Sequence, residues 1–516
     1  MNPFISPMPK RLQRPELFSD RAFINGAWTD AKTTASAKTV TTAETVTTAE
    51  TEANAEFPVF DPATGECLAL VPDLGVVDAG RAIQAAHEAF AGWRDLTARS
   101  RSLVMRRWFD LIIANLDDLA LILTFEQGKS LAEARAEISY GASFVEWFAE
   151  EAKRIYGDII PAPLVNQKIV VLKQPIGVVA AITPWNFPIA MITRKIAPAL
   201  AAGCTVVVKP SEETPLSALA LARLAAEAGF PKGVVNVMTT RQAEDVGREL
   251  SQNPLVRKVS FTGSTQVGKI LMKQSSSTVK KLSLELGGNA PFVVFEDADL
   301  DLAVEGAISS KFRNSGQTCI CTNRFFVHEK IYDQFATRLA SAASQLTLGH
   351  GIESNVQQGP LINLAAMLKV ETHIQDALDQ GAKLLCGGKK SERGELFFEP
   401  TVLTEATVQM KFAQEETFGP LAALIRFESE EQVIKWCNET DVGLAAYFYS
   451  RDIGRVWRVA GALEVGMIGI NEGLISNEVA PFGGVKESGQ GREGSKYGIL
   501  DYVEMKYLMF GHLEAR

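Results

Sequence analysis

Residues 178–209 read VVAAITPWNFPIAMITRKIAPALAAGCTVVVK, and their order decides the fold class. Val178–Ile182 and Thr205–Val208 are short, uncharged and rich in β-branched residues, the texture of strands buried on both faces. Between them an apolar run near 189–202 has helical length. The same region offers a rival reading, because Gln174–Thr193 is twenty uncharged residues flanked by Lys173 and Arg194, the length of a membrane span. Pro184, Asn186 and Pro188 interrupt it. An interior proline removes a helix hydrogen bond, so strand, loop and helix is the better reading.

The alternation continues outward. β-type runs at Ile169–Leu172, Val234–Val237 and Val259–Thr262 join the two strands above, with helical stretches near 216–228, 242–250 and 265–274. Strand–helix alternation with short Gly- and Pro-marked joints predicts an α/β, doubly wound parallel sheet, which binds ligands at the carboxyl ends of its strands. A second α/β series has strands near 292–295, 324–328, 383–386 and 422–427, with helices near 299–312, 330–345 and 364–380. The joint between the series falls near Glu285–Asn289. Upstream, residues 78–155 read as long helices, and Ala22–Trp28 and Phe57–Phe60 as short strands with Asn25-Gly26 as a turn. The sequence TVTTAE at Thr39–Glu44 is repeated at Thr45–Glu50, within a Thr/Ala/Glu stretch at 31–56 that lacks aromatics. It reads as a flexible surface insertion.

At 516 residues the chain has length for about three domains. Its 46% hydrophobic and 22% charged content excludes a largely disordered chain. A net charge of −9 argues against nucleic acid or an anionic membrane as partner. Six cysteines are too sparse for a stapled secreted fold and read as reduced thiols in a cytoplasmic setting. No apolar run follows Lys10, Arg11 and Arg14, so no secretory signal is expected.

Two motif matches need context. Gly489-Gln-Gly491-Arg-Glu-Gly494 fits a dinucleotide fingerprint, but no strand precedes it and 22 residues remain after it, so it reads as a turn-rich loop. Gly263-Ser-Thr-Gln-Val-Gly268-Lys269 fits a P-loop except that Ile270 replaces the magnesium-binding hydroxyl. An Mg-nucleotide hydrolase is therefore disfavoured, while a cofactor pyrophosphate at this helix start stays open. The five histidines are scattered without ligand spacing, and no metal site is expected. The densest chemical signal is Asn314-Ser315-Gly316-Gln317-Thr318-Cys319-Ile320-Cys321. A cysteine after a Gly-bearing polar turn can sit exposed where dipoles or cations favour its thiolate, although two small core residues on one strand is the plainer reading of spacing alone.

Glu285-Leu-Gly-Gly288 followed 34 residues later by Cys319 resembles the aldehyde dehydrogenase superfamily. So do Thr183-Pro-Trp-Asn-Phe-Pro188, Lys209-Pro-Ser-Glu212, Phe261-Thr-Gly-Ser264, Glu415-Glu-Thr-Phe-Gly-Pro420 and Pro481-Phe-Gly-Gly484, in family order over roughly residues 20–510. Met191-Ile-Thr-Arg-Lys195, Lys311-Phe-Arg-Asn314, Cys319-Ile-Cys321 and Gly491–Gly498 look like its succinate-semialdehyde dehydrogenase branch. The repeat at 39–50 departs from the family pattern.

The resemblance implies a Rossmann-like NAD-binding domain (1–154 and 176–285), a catalytic domain (286–485) and a β-hairpin oligomerisation element (155–175 and 486–516), assembled as a homodimer or homotetramer. It implies Cys319 as nucleophile, Glu285 as general base and Asn186 as oxyanion donor. The cofactor residues it implies are Thr183, Pro184, Trp185, Lys209, Ser211, Glu212, Gly263, Ser264, Leu286, Glu416 and Phe418. A carboxylate at Glu212 favours NAD over NADP, with NADP admitted by side-chain rearrangement. Arg194, Arg313 and Ser476 match the branch's clamp for an anionic semialdehyde, and Cys321 is the redox partner open to Cys319. The activity implied is oxidation of succinate semialdehyde to succinate. Glutarate semialdehyde, a broader aldehyde range and a non-enzymatic binding role are the alternatives.

Overall fold

The computed structural model describes residues 8–29 and 56–512; the expected insertion at 31–56, with its TVTTAE repeat, lies outside the described residues except for Glu56, which opens strand Glu56–Phe60. Strands Val178–Ile182 and Thr205–Lys209 are buried at every position, as their uncharged β-branched runs require. They sit in an eight-stranded sheet whose parallel core runs Val235–Val237, Thr205–Lys209, Val178–Ile182, Val256–Thr262, Lys281–Glu285. The chain starts in the middle at Val178, winds to one side, then returns to build the other. The crevice between Ile182 and Thr262 is therefore the switch point where such sheets bind ligands. The hairpin Ala22–Ile24/Ala27–Thr29 closes one edge through Asn25 and Gly26, both at positive φ, as a two-residue hairpin turn demands.

A seven-stranded sheet follows the crossing at residues 286–289, in the order Lys383–Cys386, Thr401–Ala406, Leu421–Phe427, Thr322–His328, Ala290–Val294, Ala445–Tyr449, Met467–Ile470. It is parallel except at its Lys383–Cys386 edge. Helices Val76–Arg94, Ala98–Ala114, Leu116–Gln127 and Leu131–Glu151 fill the stretch read as helical. The fold is thus the expected one, with a Rossmann-like sheet, a second α/β sheet and a β-hairpin element. No described helix is long and apolar enough to cross a membrane.

Two expectations are corrected. The run at Ile169–Leu172 is not part of the doubly wound sheet. Lys168–Pro175 pairs antiparallel with Asp158–Ile160 and Val503–Phe510 in a separate three-stranded sheet. Its burial is intermediate or exposed throughout, consistent with Lys168 and Lys173 on a strand covered on one face at most. The Gly489–Gly494 loop is not turn alone. Gly489–Gln490 adds a short antiparallel strand to Leu284–Glu285, and a Cβ on Gly489 would lie 1.8 Å from the Leu284 carbonyl oxygen.

Candidate active site

A cavity of about 370 Å³ opens at the switch point, between the two large sheets. Pro184, Trp185, Asn186, Gly263, Ser264, Glu285 and Leu286 line it from the first sheet, and Cys319, Glu416 and Phe418 from the second. Beyond Cys319 lies a narrow second pocket lined by Tyr140, Phe187, Met191, Arg194, Arg313, Thr318, Ile320, Ser476 and Phe482. Cys319 is the residue common to both linings. Of the expected residues, Thr183, Lys209, Ser211 and Glu212 line neither. The Thr183 N–H donates to the Lys209 carbonyl (3.1 Å), tying two strand ends, and Lys209 Nζ pairs with Glu212 Oε2 (3.2 Å) at the crevice mouth. Ser211 Oγ accepts from the Glu213 N–H (3.3 Å). Cys321 is buried and its Sγ donates to the Lys311 carbonyl (3.4 Å).

Cys319 is presented by an unusual turn. Asn314, Ser315 and Gly316 are all left-handed (φ 51°, 55° and 78°), between helix Leu300–Phe312 and strand Thr322–His328. Non-glycine residues there cost about 1–3 kcal/mol each, so the surroundings must hold them. Glu133 Oε1 accepts from the Asn314 N–H (2.7 Å), Ser315 Oγ donates to the Gly359 carbonyl (2.9 Å), and Gln317 Oε1 accepts from the Ile362 N–H (2.9 Å). Gly316 is forced, because a Cβ would lie 2.2 Å from the Gly419 carbonyl oxygen. On the opposite wall, helix Pro188–Ala202 starts with proline at its first position, where no amide donor is lost. One Asn186 amide hydrogen goes to the Gln317 carbonyl (3.1 Å), which leaves the second for a ligand.

Burial pushes the Cys319 thiol up to about 12, with the Arg194 guanidinium pulling the other way. Glu285 is also buried, and both its oxygens lack a hydrogen-bond partner among the described residues. Burial first, then the neighbouring Glu493 carboxylate, raise its pKa well above the ordinary range. Glu493 ion-pairs with both Arg194 (2.5 Å) and Lys195 (2.5 Å). Burial opposes its charge, but the two cations hold its pKa below the usual value. The larger cavity is thus lined by both a thiol that needs a base and a buried, uncommitted carboxyl group with a high proton affinity. Such a pair can run acyl transfer through sulfur.

Residues 48–508 match the family model described as the aldehyde dehydrogenase family. The chain belongs to the aldehyde dehydrogenase family. It is 56% identical to the NADP(+) succinate-semialdehyde dehydrogenase of Escherichia coli K12, covering 97% of this chain and 100% of that one. It is 57% identical to a glutarate-semialdehyde dehydrogenase of Pseudomonas putida KT2440, covering 96% and 99%. The crystal structure of succinate-semialdehyde dehydrogenase from Burkholderia pseudomallei superposes with a TM-score of 0.92 at 61% identity, covering 97% and 99%.

Aldehyde dehydrogenases use a nicotinamide dinucleotide, and the larger cavity suits one. Trp185 and Phe418 meet edge to face (centroids 5.6 Å apart), and with Leu286 they give the cavity apolar walls. Gly263 precedes helix Thr265–Ser275, whose N-terminus can face a pyrophosphate. Ser264 caps that helix, accepting from the Val267 N–H (3.3 Å). Glu416 is half-buried, and among the described residues its side chain accepts only from the Gly288 N–H (3.5 Å), so its oxygens could accept from ribose hydroxyls. The P-loop-like Lys269 instead pairs with Glu487 at the surface (2.7 Å). Among the described residues no cluster could hold a metal ion.

Sequence reasoning missed several members of this aldehyde dehydrogenase site. Lys369 lines the larger cavity and Tyr140 the smaller. Glu493 sits inside the Gly489–Gly494 loop, and Lys195 follows Arg194 on helix Pro188–Ala202. For Lys195 the available signal is a charge in an otherwise apolar stretch, whereas Glu493 lies among polar residues and glycines that read as surface.

Proposed function

We propose that the chain oxidises succinate semialdehyde to succinate, using NAD by preference. The observation that carries this reading is the second pocket, where Arg194, Arg313 and Ser476 converge on the side of Cys319 away from the larger cavity. An aldehyde placed at Cys319 with its anionic end toward the arginines would be held by charge-assisted hydrogen bonds. Both semialdehydes named for the relatives end in a carboxylate. They differ by one methylene, which a pocket discriminates by only about 1–3 kcal/mol. Glutarate semialdehyde is accordingly the second reading.

Cys319 Sγ would attack the aldehyde carbon while its proton passes to Glu285, directly or through a water. The S–C bond forms and the carbonyl oxygen becomes an oxyanion, held by the free Asn186 amide hydrogen and the Cys319 N–H. Each such donor is worth about 3–4 kcal/mol in the barrier. A nicotinamide held in the larger cavity would supply the hydride acceptor needed to oxidise the thiohemiacetal on Cys319 to a thioester. Once Glu285 has released the first proton to solvent, its carboxylate takes a proton from water, the hydroxide adds to the thioester carbon, and the acid leaves as the C–S bond breaks and Cys319 departs as thiolate.

Lys209 and Glu212 are assigned to the adenosine ribose, with Thr183, Pro184 and Ser211 beside them. Glu212 accepts ribose hydroxyls and repels a 2′-phosphate, whereas one relative carries NADP(+) in its name. NADP would enter if Glu212 turns away. Cys321 is proposed to attack a sulfenic acid that peroxide forms on Cys319, giving a Cys319–Cys321 disulfide and water, for which its Sγ must release the Lys311 carbonyl. The proposed division is cofactor domain 1–154 with 176–285, catalytic domain 286–485, and assembly element 155–175 with 486–516. The three-stranded sheet leaves Ile159 (80%), Met505 (76%) and Tyr507 (56%) exposed, which supports burial against a second copy as dimer or tetramer. The six free thiols fit a cytoplasmic protein.

The experiment is a panel of C4 and C5 semialdehydes and butanal with NAD and NADP. The expected result is the highest kcat/KM for succinate semialdehyde with NAD. A preference for butanal would sink the anion clamp, and a clear preference for NADP would sink the cofactor assignment.

A further inference from the structure

Three charged residues spaced by four, Lys129, Glu133 and Glu137, converge on the wall that carries Asn186 and Cys319. Lys129 stands just before Ser130, the N-cap of helix Leu131–Glu151, and Glu133 and Glu137 share one face of that helix. Lys129 and Glu137 are fully buried and paired at 2.5 Å. Lys129 Nζ also donates to the Asn186 carbonyl (2.8 Å) and lies over the Phe187 ring (3.8 Å). Glu137 Oε1 accepts from the Ile189 and Ala190 N–H groups (2.9 and 3.3 Å), capping the helix that begins two residues after Asn186. Glu133 Oε1 accepts from the Asn314 N–H (2.7 Å), and Asn314 Nδ2 reaches both the Asn186 carbonyl (3.0 Å) and the Gln317 carbonyl (3.3 Å).

We infer that Lys129, Glu133 and Glu137 form a positioning ladder that sets the Asn186 amide in register with the Cys319 backbone. The two donors of the oxyanion site come from distant parts of the chain, and neither is fixed by its own element. Asn186 lies in a loop before its helix, and Cys319 follows three left-handed residues. The ladder grips both at once, Lys129 and Glu137 from the Asn186 side and Glu133 from the Cys319 side. A buried ion pair is not retained for stability alone, because its desolvation offsets most of its attraction. A role in geometry accounts for it better. Each of the three acts through another residue and touches no substrate.

The inference rests on Asn186 as oxyanion donor, so that assignment is tested alongside. Hydride transfer in full-length Lys129→Met, Glu133→Gln and Asn186→Ala is compared using butanal and butanal deuterated at the aldehyde carbon, with rates per titrated active site. Lys129→Met is expected to slow hydride transfer by about tenfold or more, a fraction of what losing a whole donor costs. A primary isotope effect on kcat should emerge, with KM for NAD unchanged. Glu133→Gln keeps an oxygen acceptor but loses the charge, and should slow the same step severalfold. If Lys129→Met does not fold, Glu133→Gln alone decides. Wild-type hydride transfer in these variants, or a loss confined to the number of active sites, overturns the ladder. If Asn186→Ala is itself without effect, the oxyanion assignment fails; if only Asn186→Ala is slow, the ladder alone fails.

Discussion

The two arginines of the anion pocket are not equivalent, and replacing each by alanine should separate them. Arg194 is buried and already ion-paired with Glu493 at 2.5 Å, with the Phe482 ring 3.9 Å from its guanidinium carbon. Arg313 makes no side-chain hydrogen bond or ion pair among the described residues. Its guanidinium rests over Phe187 at 4.8 Å, so its donors remain for a ligand. A hydrogen bond to a charged group contributes about 1.5–3 kcal/mol. At about 1.4 kcal/mol per decade, Arg313→Ala should lower kcat/KM for succinate semialdehyde about 10- to 150-fold. Butanal has no anionic end, and its kcat/KM should stay within about threefold. Arg194→Ala should behave differently, because it strips a partner from buried Glu493. Glu493 keeps Lys195 as a partner, so the loss should fall below the about 3–5 kcal/mol of a fully broken buried pair, felt as lower thermal stability and slower turnover of both aldehydes. Steady-state kinetics with both aldehydes, together with melting curves, provide the check. Equal losses on butanal and succinate semialdehyde in Arg313→Ala would refute the clamp.

Three further outcomes follow from the same geometry. Glu285→Gln removes the uncommitted base and should lower kcat by about 10²-fold or more, read as NADH formation at neutral pH; turnover near wild type would move the base elsewhere. Glu416, pushed by burial up to about 7, is protonated below that pH and charged above it. Because ribose hydroxyls donate to the carboxylate, NAD affinity should rise as pH increases through about 7, and Glu416→Gln should flatten the profile in a fluorescence titration. Glu212→Ala should raise kcat/KM for NADP relative to NAD, and an unchanged ratio would remove Glu212 from cofactor choice.

What could be read from the sequence divides along a physical line. Val178–Ile182 and Thr205–Lys209 were legible because burial on both faces leaves a continuous β-branched run. The run at 169–172 has a similar texture, which alone puts it with the doubly wound sheet; only the family resemblance puts 155–175 in the hairpin element with the C-terminal segment. The partner strand Val503–Phe510 lies over 300 residues away, and no local pattern encodes that pairing. The same limit applies at the site. Asn186, Glu285 and Cys319 stand at strand ends or on turns, inside short motifs whose residues are all local. Lys129, Glu137, Lys195 and Glu493 are buried charges, and a buried charge is tolerated only with its partner. Glu493 is 298 residues from Lys195, and Lys129 is 57 from Asn186. Read one at a time, each looks like a solvated surface residue. Their role exists only as pairs, so it becomes visible when the fold brings the partners together, and the groups that touch a reacting atom are legible before the groups that hold them still.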